Sequence, residues 1–320
     1  MKLDSIKVDF TPHTVGEHAA EAESLGYDGF WLAETKHDVF VGLGQAAART
    51  KDIELGTAIA VAFARNPMST ATLANDLQLL SRGRFHLGLG SQVEPHITKR
   101  FAMPWSKPAA RMREFVLAIR AIWHSWETGD RLAFRGEFYR HTLMTPFFNP
   151  GPNEFGNPKI YLAGVGELMT EVAGEVADGF LCHSFTTDRY LREVTVPALE
   201  RGRAKAGKSL DGFEVSGPSF VATTEDEVAD VKRQIAFYGS TPAYRKVLDL
   251  HGWSALHEEL HTMSRRQLWA EMSALIDDEV LYAFALVGTP QEVAAKLGER
   301  ADVITRVTTT PSVLSARRSG

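Results

Sequence analysis

Two glycine pairs, one acid-rich segment and two histidine motifs are the places where residue type and spacing permit chemistry in this chain. The stretch RFHLGLGSQ at 84–92 carries Gly88-Leu89-Gly90, which at first suggests a dinucleotide loop. Such a loop needs a third glycine three residues on and a helix behind it. Here position 93 is valine, and Pro95 and Pro104 interrupt the following segment, so the dinucleotide reading fails. Gly164-Val165-Gly166 is better placed, because it follows the apolar run KIYLA and precedes the helical run ELMTEVAGEVA. Successive backbone N–H groups at a helix start bind an anion without a cationic side chain; a plain tight turn into the helix is the alternative. For acid–base work the richest segment is Ala33-Glu34-Thr35-Lys36-His37-Asp38, with Glu34 and His37 as the candidates. Imidazole is the side chain suited to moving a proton near neutral pH, although a lone histidine here reads equally well as a surface loop residue. Glu94 and His96 form a second rank, and Phe101, Met103 and Trp105 read as an apolar pocket wall, a lid or buried packing.

Two further motifs are weaker. His257-Glu258-Glu259-Leu260-His261 has the H-E-x-x-H form, with Glu271 or Glu279 as a conceivable third ligand. Five-residue patterns with two free positions arise by chance, and no metal is expected. Cys182-His183 reads as a pocket or core pair, because no third group is placed to orient a nucleophile's base.

The elements that must position these residues follow a repeated plan, an amphipathic helix ending at a small turn from which a short apolar strand begins. Eight strands are expected: SIKVDF, GFWLAE, IELGTAIAV, RFHLGLG, KIYLAG, GFLCHS, FEVSGPSFVA and DVITRVT. They are short, apolar and not cleanly alternating, as strands buried on both faces of a parallel sheet are. Between them, Val15, His18, Ala19, Ala22 and Leu25, and later Met112, Phe115, Val116, Ile119, Ile122, Trp123 and Trp126, recur at helical spacing. Eight such units predict an α/β fold, a closed (β/α)8 TIM barrel forming a single domain over 1–320. In the fourth strand Phe85, Leu87 and Leu89 would face the helices and His86, Gly88 and Gly90 the interior. The two missing side chains would leave room for something flat, or merely ease packing. Residues 127–158 predict a hairpin at RLAFRGEFYRHT and a proline-rich loop, and about 239–286 form a helical insertion after strand 7. Long loops on this side of a barrel build its active site.

Composition narrows the function classes. Hydrophobic content of 44% with 23% charged residues is ordinary globular composition, and a formal charge of −5 gives no footprint for nucleic acid. The single cysteine, an N-terminus with acidic residues and the absence of an 18-residue apolar run lead to the expectation of a cytoplasmic protein with no membrane segment.

The run AVAFARNPMSTATLANDLQLLSRGRFHLGLGSQ at 60–92 resembles the luciferase-like monooxygenase superfamily, with an arginine and proline before a long helix, then Ser-x-Gly-Arg-Phe, then Gly-x-Gly. GYDGFWLAE, RMREFVLAIRAIW, FRGEFY, YLAGVG with VADGF, and VGTPQEVAAKL are similar to the same superfamily in the same order. FYGSTPAYRKVLDLHGW resembles its coenzyme F420-dependent branch. The resemblance implies an oxidoreductase on a TIM barrel that holds F420, or alternatively FMN, at the C-terminal mouth and acts on a small-molecule substrate. A non-catalytic flavin-binding barrel is a third possibility within the same scaffold. It further implies a non-prolyl cis peptide at Ala58-Ile59 against the back of the ring, Gly90, Ser91 and Gln92 at the ring's polar edge, and Gly164, Val165 and Gly166 at the phosphate tail. Glu34 matches the acid placed after strand 2 in that superfamily. Flavin monooxygenases often follow that acid with histidine, whereas here Thr35 stands, and His37, two residues on, is the candidate to supply a proton in its place, with Glu34 or His37 managing the proton. Barrels of this type often pair as homodimers.

Overall fold

The structure, a computed structural model, describes residues 1–217 and 220–319. Each of the eight expected runs yields a parallel barrel strand: β1 Lys2–Lys7, β2 Gly29–Leu32, β3 Glu54–Thr57, β4 Phe85–Gly90, β5 Lys159–Gly164, β6 Gly179–Cys182, β7 Glu214–Gly217 and β8 Arg306–Thr308. Every strand pairs with its sequence neighbours and β8 pairs with β1, which closes the ring. The protein is a (β/α)8 TIM barrel.

Several strand ends differ from the sequence expectation for physical reasons. β1 begins at Lys2 rather than Ser5, because Lys2 and Asp4 find ionic partners inside the barrel. The third run breaks after Thr57 at a cis peptide between Ala58 and Ile59, and Ala60–Val61 then resume pairing along β4. The last strand starts at Arg306, after a turn over 301–303. The seventh run divides: Glu214–Gly217 enters the barrel, Phe220–Ala222 leaves it, and residues 218 and 219 lie outside the described residues.

Phe85, Leu87 and Leu89 of β4 are buried in the main core against the surrounding helices, together with Met112, Phe115, Val116, Ile119, Ile122, Trp123 and Trp126 of the helix Pro108–Thr128. This is the outward face that the alternation requires. The hairpin pairs Phe134–Arg135 with Arg140–His141, and the Glu114 carboxylate accepts the N–H groups of Glu137 and Phe138 at 2.8 Å. The insertion is larger than expected. Helices Glu225–Gly239, Ser254–Arg265 and Asp278–Phe284 share a second hydrophobic core with Phe220, and the strand Ala285–Val287 pairs in parallel with Phe220–Ala222. The excursion therefore runs from 220 to 287, where sequence periodicity marked only 239–286. It docks on the barrel through Phe185 and Tyr190. Among the described residues no helix is long and apolar enough to cross a membrane.

Candidate active site at the barrel mouth

The interior of the barrel is filled from below. Lys2 meets Glu54 at 2.6 Å, Lys159 meets Glu214 at 2.8 Å, and the fully buried Arg306 reaches Asp4 at 2.7 Å, Glu214 at 2.8 Å and Glu54 at 3.0 Å. Above this network lie Trp31, Tyr161 and Leu181, with the His86 ring stacked 5.9 Å from that of Trp31 and the Arg306 guanidinium 4.7 Å from it. A Cβ at Gly56 would overlap the Trp31 ring, and one at Gly179 the Tyr161 ring, so these glycines admit the two aromatics. Packed against this group are Ile6, Ala58, Ile59 and Ala163, all partly exposed, with Ala58 and Ile59 just beyond the C-terminal end of β3. These side chains give the mouth an apolar floor.

Ile59 dominates that floor, and the sequence explains how it gets there. A Cβ at Gly88 would overlap the Thr57 carbonyl oxygen, and one at Gly90 would lie 2.8 Å from Ile59 Cγ1. The expectation that Gly88 and Gly90 leave free space is therefore corrected: the protein's own chain at the end of β3 and just beyond it fills it, and Ile59 is the surface presented to the mouth with Gly90 behind it. Thr57 secures the crossing, its hydroxyl donating to the Gly88 carbonyl at 2.6 Å and accepting the Gly88 N–H at 2.8 Å.

Glu34 braces the same bulge from the other side. Its backbone N–H donates to the Ile59 carbonyl at 3.2 Å, and its carboxylate accepts the Val61 N–H at 2.7 Å. Arg65 completes the set by donating to both Glu34 oxygens at 2.7 and 2.9 Å and to Asp38 at 2.7 Å. With three hydrogen bonds and a matched cation, the Glu34 carboxylate positions the Ala58-Ile59 segment. Arg65, known in the sequence only as the arginine before Asn66-Pro67, is the residue whose role was not legible there. His37 lies beside Phe10, ring centroids 5.9 Å apart, and is partly exposed. Ser91 and Gln92 are partly buried just past β4, with the Ser91 hydroxyl donating to the Gln92 carbonyl at 3.1 Å.

Gly164 ends β5, and Gly166 is the N-cap of the helix Glu167–Val176, where no side chain caps the first N–H groups. A Cβ at Gly166 would meet nothing within 4 Å, so the approach to those N–H groups is open. Glu167 in the first turn carries the wrong charge for an anion site, but Arg201 lies 3.1 Å from its carboxylate. Val165 is partly exposed between the two glycines.

The remaining motifs settle into other roles. Burial pushes the Cys182 thiol up to about 12 and the His183 imidazole down to about 4, which leaves a neutral thiol beside a neutral ring. His183 Nδ1 accepts the Phe185 N–H at 3.0 Å, and its ring stacks on Tyr244 at 4.6 Å and meets Tyr238 edge-on at 4.7 Å. His257 and His261 donate from Nδ1 to the carbonyls of Gly239 and Ser240 at 2.7 and 3.0 Å, tying off the end of the helix Glu225–Gly239. Among the described residues no three histidine, cysteine or acidic side chains converge as a metal site.

Comparison with known proteins gives the family of the chain. The sequence profile described as luciferase-like monooxygenase matches residues 3–306. The chain belongs to the luciferase-like monooxygenase family. Within it, the chain is 53% identical over 296 residues to the uncharacterized protein Rv1360 of Mycobacterium tuberculosis, covering 90% of this chain and 87% of that one. It is 33% identical over 220 residues to the F420-dependent glucose-6-phosphate dehydrogenase of Nocardia farcinica, covering 64% and 63% of the two chains. The fold superposes on the coenzyme F420-dependent tetrahydromethanopterin reductase of Methanopyrus kandleri with a TM-score of 0.80 at 21% identity, covering 99% and 96%.

Proposed function

We propose that this family member is an oxidoreductase that uses coenzyme F420 to transfer a hydride to or from a small organic substrate at the barrel mouth. The observation that carries the reading is a single rim bearing both an apolar floor headed by Ile59 and an uncapped, unobstructed helix start at Gly166. A planar ring with an acidic tail makes these two demands together. The relative named as an F420-dependent dehydrogenase supports the choice of deazaflavin. The coenzyme, when bound, supplies the hydride chemistry. The chain supplies the rest: Ile59 and Ala58 seat the ring, Glu34 and Arg65 keep that seat in place, and the N–H groups at Gly164, Val165, Gly166 and Glu167 meet the tail. Gly90, Ser91 and Gln92 border the ring, and His37 delivers or removes the proton.

The family's name favours a second reading, a reduced-FMN monooxygenase on the same floor. Fluorescence titration of the purified protein with each cofactor separates the two. Quenching of F420 at micromolar concentrations with no FMN binding is expected; tight FMN binding without F420 binding would replace the first reading by the second.

A further inference from the structure

Where the insertion meets the end of β6 lies a group of aromatic side chains to which neither the bulge nor the anion site gives a role. His183 follows β6 directly, two residues beyond Leu181 of the inner Trp31, Tyr161 and Leu181 layer, at the C-terminal end of the barrel. Its Nδ1 accepts the Phe185 N–H at 3.0 Å. A ring nitrogen that accepts carries no proton, so the neutral imidazole has its hydrogen on Nε2. That N–H donates to Tyr244 Oη at 3.1 Å. A phenol oxygen that accepts in this way still has its own O–H to give, and among the described residues His183 is the one hydrogen-bond partner of Tyr244 Oη. Burial pushes the Tyr244 phenol up to about 12 and raises that of Tyr238, so both keep their protons at neutral pH.

We propose that Tyr244 is a substrate-positioning residue whose phenol O–H, oriented by His183, donates to the oxygen of a flat, uncharged substrate bound at the mouth. The walls fit such a molecule. His183, Tyr238 and Tyr244 present three neutral rings with centroids 4.6 to 5.7 Å apart. Arg65, a cation of the rim, is matched by Glu34 and Asp38, and the Arg100 guanidinium is turned to the Thr35 carbonyl at 2.7 Å and the Phe101 ring. The inference deepens the proposed function by naming the substrate's chemistry, and it rests on that reading only for where the substrate binds.

The test uses acetophenone, α-methylstyrene, which replaces the carbonyl by a methylene of the same shape, and benzoate. Each is titrated by NMR into the purified full chain, with and without saturating F420. Acetophenone is expected to bind about five- to tenfold more tightly than α-methylstyrene, as one neutral hydrogen bond allows, and more tightly than benzoate. Its labelled carbonyl carbon should shift downfield on binding to the wild type, a readout that needs no variant. Tyr244→Phe keeps the ring, should still fold cooperatively with a melting temperature lowered only by the His183 Nε2–H it leaves unpaired, and should lose both the preference and the shift. No carbonyl preference in the wild type under either condition, tighter binding of benzoate, or a preference that survives Tyr244→Phe overturns the proposal. If F420 fails to bind while the carbonyl preference follows Tyr244, the cofactor assignment falls and this one stands; F420 binding without the preference has the reverse meaning.

Discussion

The two ends of the barrel interior use charge in opposite ways. At the N-terminal end three carboxylates, Asp4, Glu54 and Glu214, face three cations, Lys2, Lys159 and Arg306, and Tyr161 donates its phenol hydrogen to Glu214 at 2.7 Å. At the C-terminal end the floor is apolar, and a matched set, Glu34 with Arg65 and Asp38, lies at its edge and holds backbone in place. Charge below is consumed in fixing the strands, whereas the mouth keeps backbone N–H groups and neutral side chains open to a ligand. The ionic stabilisation and the proposed site thus lie at opposite faces, as the strand–loop architecture favours.

The largest effect that separates the two ends is expected for Arg306→Met, which leaves the three carboxylates without their shared buried cation. Removal of one partner from a buried ionic set lowers stability by about 3–5 kcal/mol, read as a fall in unfolding midpoint. A smaller loss of stability should come from acid. Burial raises the Glu214 carboxyl, but hydrogen bonds from Lys159 and Tyr161 and the nearby Arg306 and Lys2 outweigh it and hold the group at about 2 against an ordinary 4.5. Glu54 is lowered in the same way by His86, Lys2 and Arg306, while Asp4, raised by its own burial, works in the opposite sense. Between pH 4.5 and 2 the unfolded chain takes up protons at Glu214 and Glu54 that the folded one refuses. Their contribution is therefore complete above the unfolded value and declines as pH falls through that window. Urea titrations across this range should show the decline, and in Arg306→Met the acid limb should move to higher pH.

At the mouth the order of effects reverses, with binding more sensitive than folding. Glu34→Gln weakens the brace on the Ile59 bulge and should reduce F420 affinity about tenfold while lowering stability by about 1–3 kcal/mol; equal affinity would remove Glu34 from the site. Gly166→Asp installs a carboxylate cap on the open helix start, which leaves folding within about 0.5 kcal/mol of the wild type but puts a negative charge where the acidic tail should lie. Fluorescence titration should then show F420 binding weakened roughly tenfold at an unchanged melting temperature.

Much of this arrangement was legible in the sequence, because short buried strands alternating with amphipathic helices leave few topologies. The helix start at Gly166 could be read for the same local reason. The ionic interior could not, since Lys2, Asp4, Glu54 and Arg306 come from strands far apart in the chain and meet only when the ring closes. Gly88 and Gly90 suggested free space because a sequence shows which side chain is missing and not what fills the gap. The insertion was underestimated at its start, because Phe220–Ala222 has the same apolar character as the barrel strand before it and changes allegiance only by pairing with Ala285–Val287. The pairing of His183 with Tyr244 lies 61 positions apart and had no local signal.

The central claim is that one rim seats a flat redox ring on Ile59 and receives its acidic tail at Gly166. A crystal structure of the protein with F420 tests it most directly. The account predicts the deazaflavin ring against Ile59 and the phosphate within hydrogen-bond distance of the N–H groups at 164–167. A ring bound away from Ile59, or a phosphate held elsewhere on the barrel, would contradict it.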